Sequence, residues 1–326
     1  MGGSGGRPLK AVTIVEGRLE VVERDDPQPR AHQVLVEVAG AGLNRADLMQ
    51  RAGHYPAPPG WPSDVPGLEF AGTVAATGSD VFSLQIGDHV FGIVGGGGQA
   101  THVVTPADHC ARVPRSLDLV EAGGVPEVFV TAHDAMLVQA GLRPGERVLI
   151  HGVGSGVGTA AVQLARAIGA TTVGTSRTPD KLDRAKELGL DEGIVASPDM
   201  ADRIGEVDVV LDLIGGDYIR CDVEVCRPKG RIVLVGLLAG AATELDLGAF
   251  MRKRLRLMGT ALRNRPDHEK ALATAAFEGE VVPLFERGAL EVPIDETLPL
   301  AEAERAYERM ASNETFGKIV LAAKED

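Results

Sequence analysis

The stretch HGVGSGVG, residues 151–158, decides the fold, because it places a run of glycines between a predicted strand and a predicted helix. The strand, Arg147–His151, is a short apolar run, and residues 159–168 have the apolar spacing of a helix that stops at Gly169. The first helical turn after such a loop offers backbone N–H groups and positive charge to a phosphate group. The loop therefore predicts a dinucleotide site, with a tight turn that binds nothing as the alternative.

The spacing within this loop departs from the strict G-x-G-x-x-G pattern. It reads small-x-x-small-x-x-Gly at Gly152, Ser155 and Gly158, which still permits close approach of a ligand to the backbone. A position inside a strand–helix–strand unit favours dinucleotide binding over a plain turn. The residues predicted to hold the pyrophosphate are Gly154, Ser155, Gly156, Val157 and Gly158.

Strands and helices alternate on the C-terminal side of the loop. Short apolar runs predict strands, and a helix is predicted at residues 179–188, with Thr178 as N-cap and Pro179 at the first helical position. This alternation indicates a parallel sheet covered by helices on both faces. The predicted strands lie at residues 171–175, 207–211, 231–236 and 255–260.

The two ends of the chain have a different texture. Before residue 126, short β-branched runs at residues 34–38, 72–75 and 89–94 predict a mostly β region. Prolines crowd residues 56–66, which predicts a stiff surface loop. Toward the C-terminus, a helix is predicted at residues 301–311 and a strand at Lys318–Ala322.

Composition excludes several classes of protein. With 326 residues, 44% hydrophobic and 24% charged, the chain is long enough for two folded domains. A net charge of -13 argues against nucleic acid as a partner, and the apolar stretch 232–242 is too short to cross a membrane. Three cysteines without a CxxC pair and no secretory leader favour a reducing, cytoplasmic location. Residues 1–6 resemble a flexible tag remnant.

The residues after the second strand of the alternating region indicate which dinucleotide binds. A fold that prefers NAD usually has Asp or Glu there, about 20 residues after the loop, to bind the ribose 2′-hydroxyl. This chain has Ser176, Arg177 and Lys181 instead, which suit the 2′-phosphate of NADPH. The alternative is a solvated start of a helix, although basic residues there oppose the helix dipole.

Several short motifs occur in a family's characteristic order. They are AGLNRAD (41–47), RAGHYP (51–56), PGLEFAGTV (66–74), GDHV (87–90), GGGQA (96–100), PEVFVTA (126–132) and FGKIV (316–320). Together they resemble the zinc-independent quinone oxidoreductases of the medium-chain dehydrogenase/reductase superfamily, over residues 8–322. The resemblance implies an α/β protein with a GroES-like, mostly-β catalytic domain (1–125 and 266–326). A Rossmann domain with a doubly wound parallel sheet (126–265) is inserted between these segments.

The same resemblance bears on metal binding. Zinc-dependent relatives have a Cys where Asn44 stands and a His where Leu68 stands, and a catalytic zinc needs about three protein ligands. The eight histidines form no pair at helical spacing, and Glu69 alone would bind weakly. We therefore expect an enzyme without metal.

The family's functional positions map onto named residues. The resemblance implies that Asn44 lies near the nicotinamide ribose and the substrate, and that Tyr55 forms a pocket wall with a flat face and a phenol donor. Alternatively, Asn44 fixes its own turn, Tyr55 packs within the proline loop, and Arg263 lies at the surface. Further cofactor contacts implied by the resemblance are Thr131, Gly236, Leu237, Leu262, Arg263, Phe316 and Lys318.

The expected activity is NADPH-dependent reduction of a quinone or another conjugated carbonyl compound by hydride transfer. A reductase of 2-alkenals or enoyl thioesters, as in polyketide synthases, is one alternative. A crystallin-like protein that binds NADPH without an enzymatic role is another. No spacing typical of a hydrolase triad occurs. The strand predicted at residues 255–260 would leave an open sheet edge, so we expect a homodimer that pairs these edges.

Overall fold

The computed structural model describes residues 9–25 and 27–324, so the predicted tag remnant at residues 1–6 lies outside the described residues. The chain divides into two compact units, Met1–Glu127 with Arg263–Asp326, and Val128–Leu262. We call them the terminal unit and the central unit. None of the described helices is both long and apolar enough to span a bilayer.

The helices and strands follow one another in chain order. The first part contains β1 (Leu9–Val15), β2 (Arg18–Arg24), β3 (Gln33–Gly42), α1 (Arg45–Arg51), β4 (Glu69–Thr77), β5 (His89–Ile93), β6 (His102–Pro106) and β7 (Cys110–Arg112). Next come α2 (Pro126–His133), β8 (Arg147–His151), α3 (Gly156–Ala167), β9 (Thr171–Ser176), α4 (Pro179–Glu187), β10 (Glu192–Val195), α5 (Met200–Ile204), β11 (Val207–Asp212), α6 (Tyr218–Val225), β12 (Cys226–Leu234), α7 (Leu247–Lys253) and β13 (Arg256–Gly259). The last elements are α8 (Asp267–Glu280), α9 (Val282–Glu286), β14 (Ile294–Pro299), α10 (Ala303–Ala311) and β15 (Lys318–Ala322). A π-helix, Asp134–Gln139, continues α2.

The terminal unit is built around a seven-stranded, mainly antiparallel sheet with the order β14-β15-β3-β4-β5-β7, in which β6 also pairs with β3. Alternate residues of β3 (Val34, Val36 and Val38) are buried, as expected for a strand with one face on the core. The helix α10 buries residues at helical spacing, including Ala306 and Tyr307, and packs against the same core. The unit is the GroES-like, mostly-β domain that the sequence predicted.

The central unit contains six parallel strands in the order β10-β9-β8-β11-β12-β13. Numbered within the unit, this is 3-2-1-4-5-6, the order of the dinucleotide-binding Rossmann fold. The middle strands β8 and β11 are buried except for Arg147 and Asp208, because helices cover both faces of the sheet. The order reverses between β8 and β11, and ligands of such sheets bind at that point, outside the carboxyl ends of the strands.

Local signals in the sequence explain where the helices begin and end. Gly169, just after α3, has φ of +81°, a left-handed conformation that glycine adopts without strain, so it stops the helix as predicted. Pro179 opens α4 as predicted, and Thr178 before it has extended backbone, although its side chain makes no capping hydrogen bond.

The structure differs from the sequence analysis in several places. The proline-dense segment has no helix or strand, as expected, but its end is not at the surface, since Val65, Leu68 and the backbone of Gly67 are buried. A side chain at Gly67 would lie only 2.4 Å from the backbone nitrogen of Gln99. The strand predicted at 231–236 starts earlier and ends at Leu234. The prediction also missed the β1–β2 hairpin and α8, whose patterns are short or weakly amphipathic.

Candidate active site

The glycine loop after β8 is shaped by backbone conformation and close packing. Gly152 has φ of +73°, which disfavours any side chain. At Gly158 a Cβ atom would lie 2.4 Å from the carbonyl oxygen of Gly152, so the start of α3 packs directly on the loop. Both glycines are therefore required by the turn itself.

Ser155 caps helix α3. Its hydroxyl donates to the Gly152 carbonyl oxygen (2.8 Å) and accepts from the Gly158 N–H (3.1 Å). The N–H groups of Gly156 and Val157, in the first turn, have no acceptor within the helix. The loop thus fits a pyrophosphate group, with these two N–H groups as donors and Ser155 as a structural cap.

The basic residues predicted to select NADPH lie beside this loop. A Cβ atom at Gly154 would be 2.7 Å from Lys181 Cδ, so the lysine's aliphatic chain passes over the glycine. Arg177 is exposed just after β9. Burial and the charge of Asp212 raise the pKa of Tyr218, and the positive charge of Arg177 opposes this shift. Ser176 is buried, and its hydroxyl accepts from the Thr178 N–H (3.4 Å). Lys181 therefore lies over the loop and Arg177 follows β9, and neither charge is buried.

A buried polar network that the sequence analysis missed supports the ends of β8 and β11. The ring nitrogens of His151 lie 2.8 Å from Thr175 Oγ1 and 2.8 Å from Asp222 Oδ1. Burial raises the pKa of Asp222 to about 6, against the opposing effect of His151. Asp212 accepts from the N–H groups of Ile214 (2.7 Å) and Gly215 (2.9 Å), which fixes the turn after β11.

In the terminal unit, the ammonium group of Lys318 lies among three oxygen atoms. It donates to the Leu43 carbonyl (2.6 Å), to Asn44 Oδ1 (2.8 Å) and to Glu69 Oε1 (2.6 Å). The side chains of Lys318 and Glu69 are 3% and 0% exposed. All three donors of the ammonium are used within the unit. The predicted contact of Lys318 with a cofactor therefore does not involve a free ammonium donor.

Asn44 belongs to the same cluster. Its Nδ2 donates to Glu69 Oε1 (2.9 Å), while its Oδ1 accepts from Lys318. Its Nδ2 also donates to the Gly42 carbonyl (3.4 Å) within its own turn, and Asp47 accepts from the Asn44 N–H (2.8 Å) at the start of α1. Asn44 connects the chain before α1 to the buried ion pair.

Glu127 is the residue of this cluster that the sequence analysis overlooked. Its N–H donates to Glu69 Oε2 (2.8 Å), and its side chain is half-buried. Burial and the neighbouring Glu69 carboxylate raise the pKa of Glu127 to about 8, although Lys318 and Arg263 oppose the shift. At neutral pH the Glu127 carboxyl group therefore carries a proton. The signal in the sequence that could have identified Glu127 was its position in the PEVFVTA motif.

Arg263 is buried, not exposed, and holds Tyr55 in place. Its Nε donates to the Gly95 carbonyl (2.8 Å), and its terminal nitrogens donate to the Tyr55 carbonyl (2.9 Å) and to Gln50 Oε1 (2.5 Å). The guanidinium also lies over the Tyr55 ring, 4.9 Å from its centroid. One face of the ring is therefore already covered. Arg263 thus positions the loop that carries Tyr55, and its contact with a cofactor stays a prediction.

A second buried carboxyl group fixes the loops around Tyr55. Asp47 accepts from the Gly67 N–H (3.1 Å) and from Gln99 Nε2 (3.3 Å), and the Tyr307 hydroxyl donates to Gln99 Oε1 (2.8 Å). Burial raises the pKa of Asp47 to about 6. This chain of hydrogen bonds connects α1, the proline-dense segment and α10.

The remaining predicted cofactor contacts are spread through both units. Thr131 on α2 and Leu262 are buried, whereas Leu237 is 51% exposed. At Gly236 a Cβ atom would lie 2.3 Å from the Leu213 carbonyl oxygen, so close packing of strand ends requires this glycine. Phe316 is buried, and its N–H donates to Asp295 (3.0 Å). Contact of these residues with a cofactor stays a prediction.

Asn44 and Glu69 bind the ammonium group of Lys318 and so belong to a hydrogen-bonded ion pair. Lys318 supplies the positive charge, and Leu68 next to Glu69 is a buried hydrocarbon side chain. Among residues 9–25 and 27–324, no three His, Cys, Asp or Glu side chains are grouped so that they could hold a metal ion.

Comparisons with known proteins agree with this architecture. The alcohol dehydrogenase GroES-like domain family matches residues 30–115, and the zinc-binding dehydrogenase family matches residues 156–276. A quinone oxidoreductase from Pseudomonas aeruginosa is 33% identical over 318 residues, which cover 94% of this chain and 96% of that protein. The structure of CurK enoyl reductase is similar with a TM-score of 0.83 and 26% identity, over 97% of this chain and 99% of that one.

A further relative is much longer than this chain. The spectinabilin polyketide synthase system protein NorB from Streptomyces orinoci is 35% identical over 298 residues, which are 89% of this chain but 13% of that protein. The two units and the full-length similarity define a medium-chain dehydrogenase/reductase. Within that superfamily the chain belongs to the quinone oxidoreductase family, as its motifs predicted.

The raised pKa of Glu127 predicts a pH-dependent stability difference. Because the folded protein prefers the protonated carboxyl, this preference stabilises the fold fully only below the usual pKa near 4.5 and is lost as pH rises through about 8. Glu127→Gln removes the titrating group. We therefore expect its Tm, relative to the wild type, to increase between about pH 5 and pH 9. Thermal unfolding followed by circular dichroism measures this difference.

The matched control is Glu121→Gln, which changes an exposed carboxyl in the preceding helical turn. A Tm difference for Glu127→Gln that stays constant over this pH range would show that the carboxyl is not protonated in the folded protein.

Proposed function

We propose that the chain is an NADPH-dependent quinone reductase that works without a metal ion. The observation that carries this proposal is the Lys318 ammonium, which is bound by Glu69 and Asn44 at 2.6 and 2.8 Å. A metal ion can act as a Lewis acid that polarises the carbonyl of a simple ketone, whereas a quinone is already electron-poor and accepts hydride more readily without one. The Lys318 cluster contains an ammonium group in place of metal ligands, so it suits a quinone better than a simple ketone or an alcohol as the acceptor or donor of hydride.

The glycine loop supports a nicotinamide dinucleotide as the cofactor, and the reduced nicotinamide supplies the hydride when it is bound. The N–H groups of Gly156 and Val157 would hold its pyrophosphate. Arg177 and Lys181 would bind the 2′-phosphate, since both are cationic and lie at the loop or just after β9. No carboxylate takes their place in the sequence, which favours NADPH over NADH.

Reduction of a quinone also requires a proton, because hydride transfer leaves negative charge on oxygen. Glu127 suits this role, since its pKa of about 8 keeps it protonated at neutral pH. Burial raises the pKa of Tyr55, and the ionised form of Glu127 adds to this shift, so the two side chains are electrostatically coupled. Tyr55 would contact the acceptor with the ring face that Arg263 leaves uncovered.

One alternative has a specific observation in its favour. NorB and the CurK enoyl reductase are similar to this chain over most of its length, which supports reduction of a conjugated C=C bond. Such a reaction would use the same cofactor and the same proton donor. The substrate therefore separates the two proposals. A crystallin-like role would show NADPH binding without turnover of any acceptor.

We also propose a homodimer. Strand β13 is the last strand of the central sheet, and Leu257 on it is 42% exposed. Leu247 and Met251 on α7, one helical turn apart, are 70% and 73% exposed. An open edge next to apolar side chains favours pairing with a second copy. Sedimentation equilibrium should give twice the mass of one chain, and the mass of one chain would overturn this proposal.

Cofactor choice is tested by Arg177→Ala. Removal of a charged hydrogen bond to the 2′-phosphate should weaken NADPH binding by about 1.5–3 kcal/mol and leave NADH binding nearly unchanged. Isothermal titration calorimetry measures both affinities. Lys186→Ala is the control, because this exposed lysine lies near the end of α4, the helix that follows Arg177, and pairs with Asp183. Equal losses for NADPH and NADH would show that Arg177 does not bind the phosphate.

The substrate is tested by following NADPH oxidation with quinones, 2-alkenals and enoyl thioesters. We expect quinones to have the highest kcat/KM. Tyr55→Ala should lower kcat/KM for quinones and leave NADPH affinity unchanged. Tyr55→Phe keeps the ring beneath Arg263 but lacks the hydroxyl, so it separates stacking from hydrogen bonding. Faster turnover of enoyl thioesters than of any quinone would favour the enoyl reductase instead.

A further inference from the structure

The central unit has a cavity at the end of β8 opposite to the end that the glycine loop follows. It is a cavity of about 590 Å³ at the amino ends of β8 and β13, whereas the glycine loop follows the carboxyl end of β8. We call it the basic pocket. Its charged lining residues are Arg143, Glu146, Lys229, Arg231, Arg254 and Arg256.

The single carboxylate of the basic pocket is already neutralised. Arg231 binds Glu146 through two parallel hydrogen bonds of 2.9 and 2.6 Å, which lower the pKa of Glu146 and keep it ionised. Arg231 also donates to the carbonyl groups of Ala140 (2.9 Å) and Gly141 (3.1 Å), so its position is fixed. The pair forms a rigid, neutral wall.

Four cations then remain without a counter-charge. None of them forms an ion pair with another residue in the described part of the chain, and all four side chains are exposed. This local positive charge contrasts with the net charge of -13 for the whole chain. Such a concentration of one sign in a concave site attracts a ligand of opposite charge. The four residues are Arg143, Lys229, Arg254 and Arg256.

Two of these cations lie at backbone positions that favour glycine. Lys229 has φ of +69° and Arg254 has φ of +54°, and the described residues contain only two other non-glycine residues with positive φ. Arg254 ends α7 in the left-handed conformation, where glycine is the preferred residue. Long side chains are disfavoured in this conformation. Strain of this kind is concentrated at functional sites, which indicates a use for the two charges.

The wall next to these residues is also irregular. The π-helix Asp134–Gln139 ends at the pocket. π-Helical turns are rare in proteins, and those that occur are often at functional sites. Gln139 donates to Asp134 Oδ2 (2.6 Å) and to Thr260 Oγ1 (2.8 Å), which anchors the end of this helix. The carbonyl groups that hold Arg231 follow directly. The pocket is therefore preformed.

We propose that the basic pocket binds a small molecule carrying two or more phosphate groups, at a site separate from the proposed cofactor site. The volume lies within the range of about 300–1,000 Å³ typical of small-molecule pockets, which favours such a ligand over a protein surface. Guanidinium groups bind phosphate oxygens in pairs, and three arginines and a lysine match the charge of a diphosphate. The proposal does not depend on the quinone reductase activity.

Inorganic pyrophosphate is the probe for this site, and the double variant Lys229→Gly/Arg254→Gly is the test. Glycine suits both left-handed positions, so the double variant should have the same Tm as the wild type or a higher one. We expect it to bind pyrophosphate at least about tenfold more weakly in isothermal titration calorimetry. Loss of binding in a protein with unchanged or raised Tm cannot come from misfolding.

Two controls separate this site from the others. Arg177→Ala should retain the pyrophosphate binding that the double variant loses, and the double variant should bind NADPH as the wild type does. Unchanged pyrophosphate binding in the double variant, or a loss in Arg177→Ala alone, would overturn the proposal. Sulfate binding as tightly as pyrophosphate would also overturn it. So would binding to phosphatidylglycerol vesicles without binding to pyrophosphate, which would assign the pocket to a lipid surface.

Discussion

The buried contact between Lys318 and Glu69, 2.6 Å long, is the interaction on which the terminal unit depends. Removing two charges from water costs several kcal/mol for each ion, and their attraction offsets this cost only when every remaining donor and acceptor is satisfied. Here the ammonium also binds the Leu43 carbonyl and Asn44, and the carboxylate also accepts from Asn44 and from the Glu127 N–H. Because Glu69 opens β4, Lys318 opens β15 and Leu43 follows β3, the cluster fixes these strands at one point.

The ion pair lies beside a second carboxyl group, Glu127. Burial is the main cause of the raised pKa of Glu127, about 8, and the neighbouring Glu69 carboxylate adds to it. Lys318, which pairs with Glu69, opposes the upward shift in the pKa of Glu127 without cancelling it. A single arrangement supplies the positive charge within the cluster and a proton donor at neutral pH.

The sequence predicts those parts of the molecule that depend on neighbouring residues. Strand β8, the glycine loop, the stop at Gly169 and the start of α4 follow from local spacing and backbone preference, and the structure confirms them. The ion pair joins residues 249 positions apart, and no local pattern indicates it. The burial of Arg263 depends on carbonyl groups of two distant loops, so composition could not distinguish it from a surface arginine. The family resemblance named Asn44 and Lys318 but could not show that they bind each other.

The glycine loop and the basic pocket of the central unit both contain left-handed backbone, but with different residues in it. At the glycine loop, Gly152 adopts positive φ without a side chain, so the backbone itself is open to a phosphate group. At the basic pocket, Lys229 and Arg254 adopt positive φ, a conformation that glycine adopts more easily. These two positions therefore carry a charged side chain although the backbone favours glycine. The N–H groups of the glycine loop have fixed directions, so a phosphate group must fit their positions. The side-chain charges of the basic pocket act on an anion over a longer range. The glycine loop and the basic pocket lie at opposite ends of β8, so the parallel sheet separates the cofactor site and the second anion site that we propose.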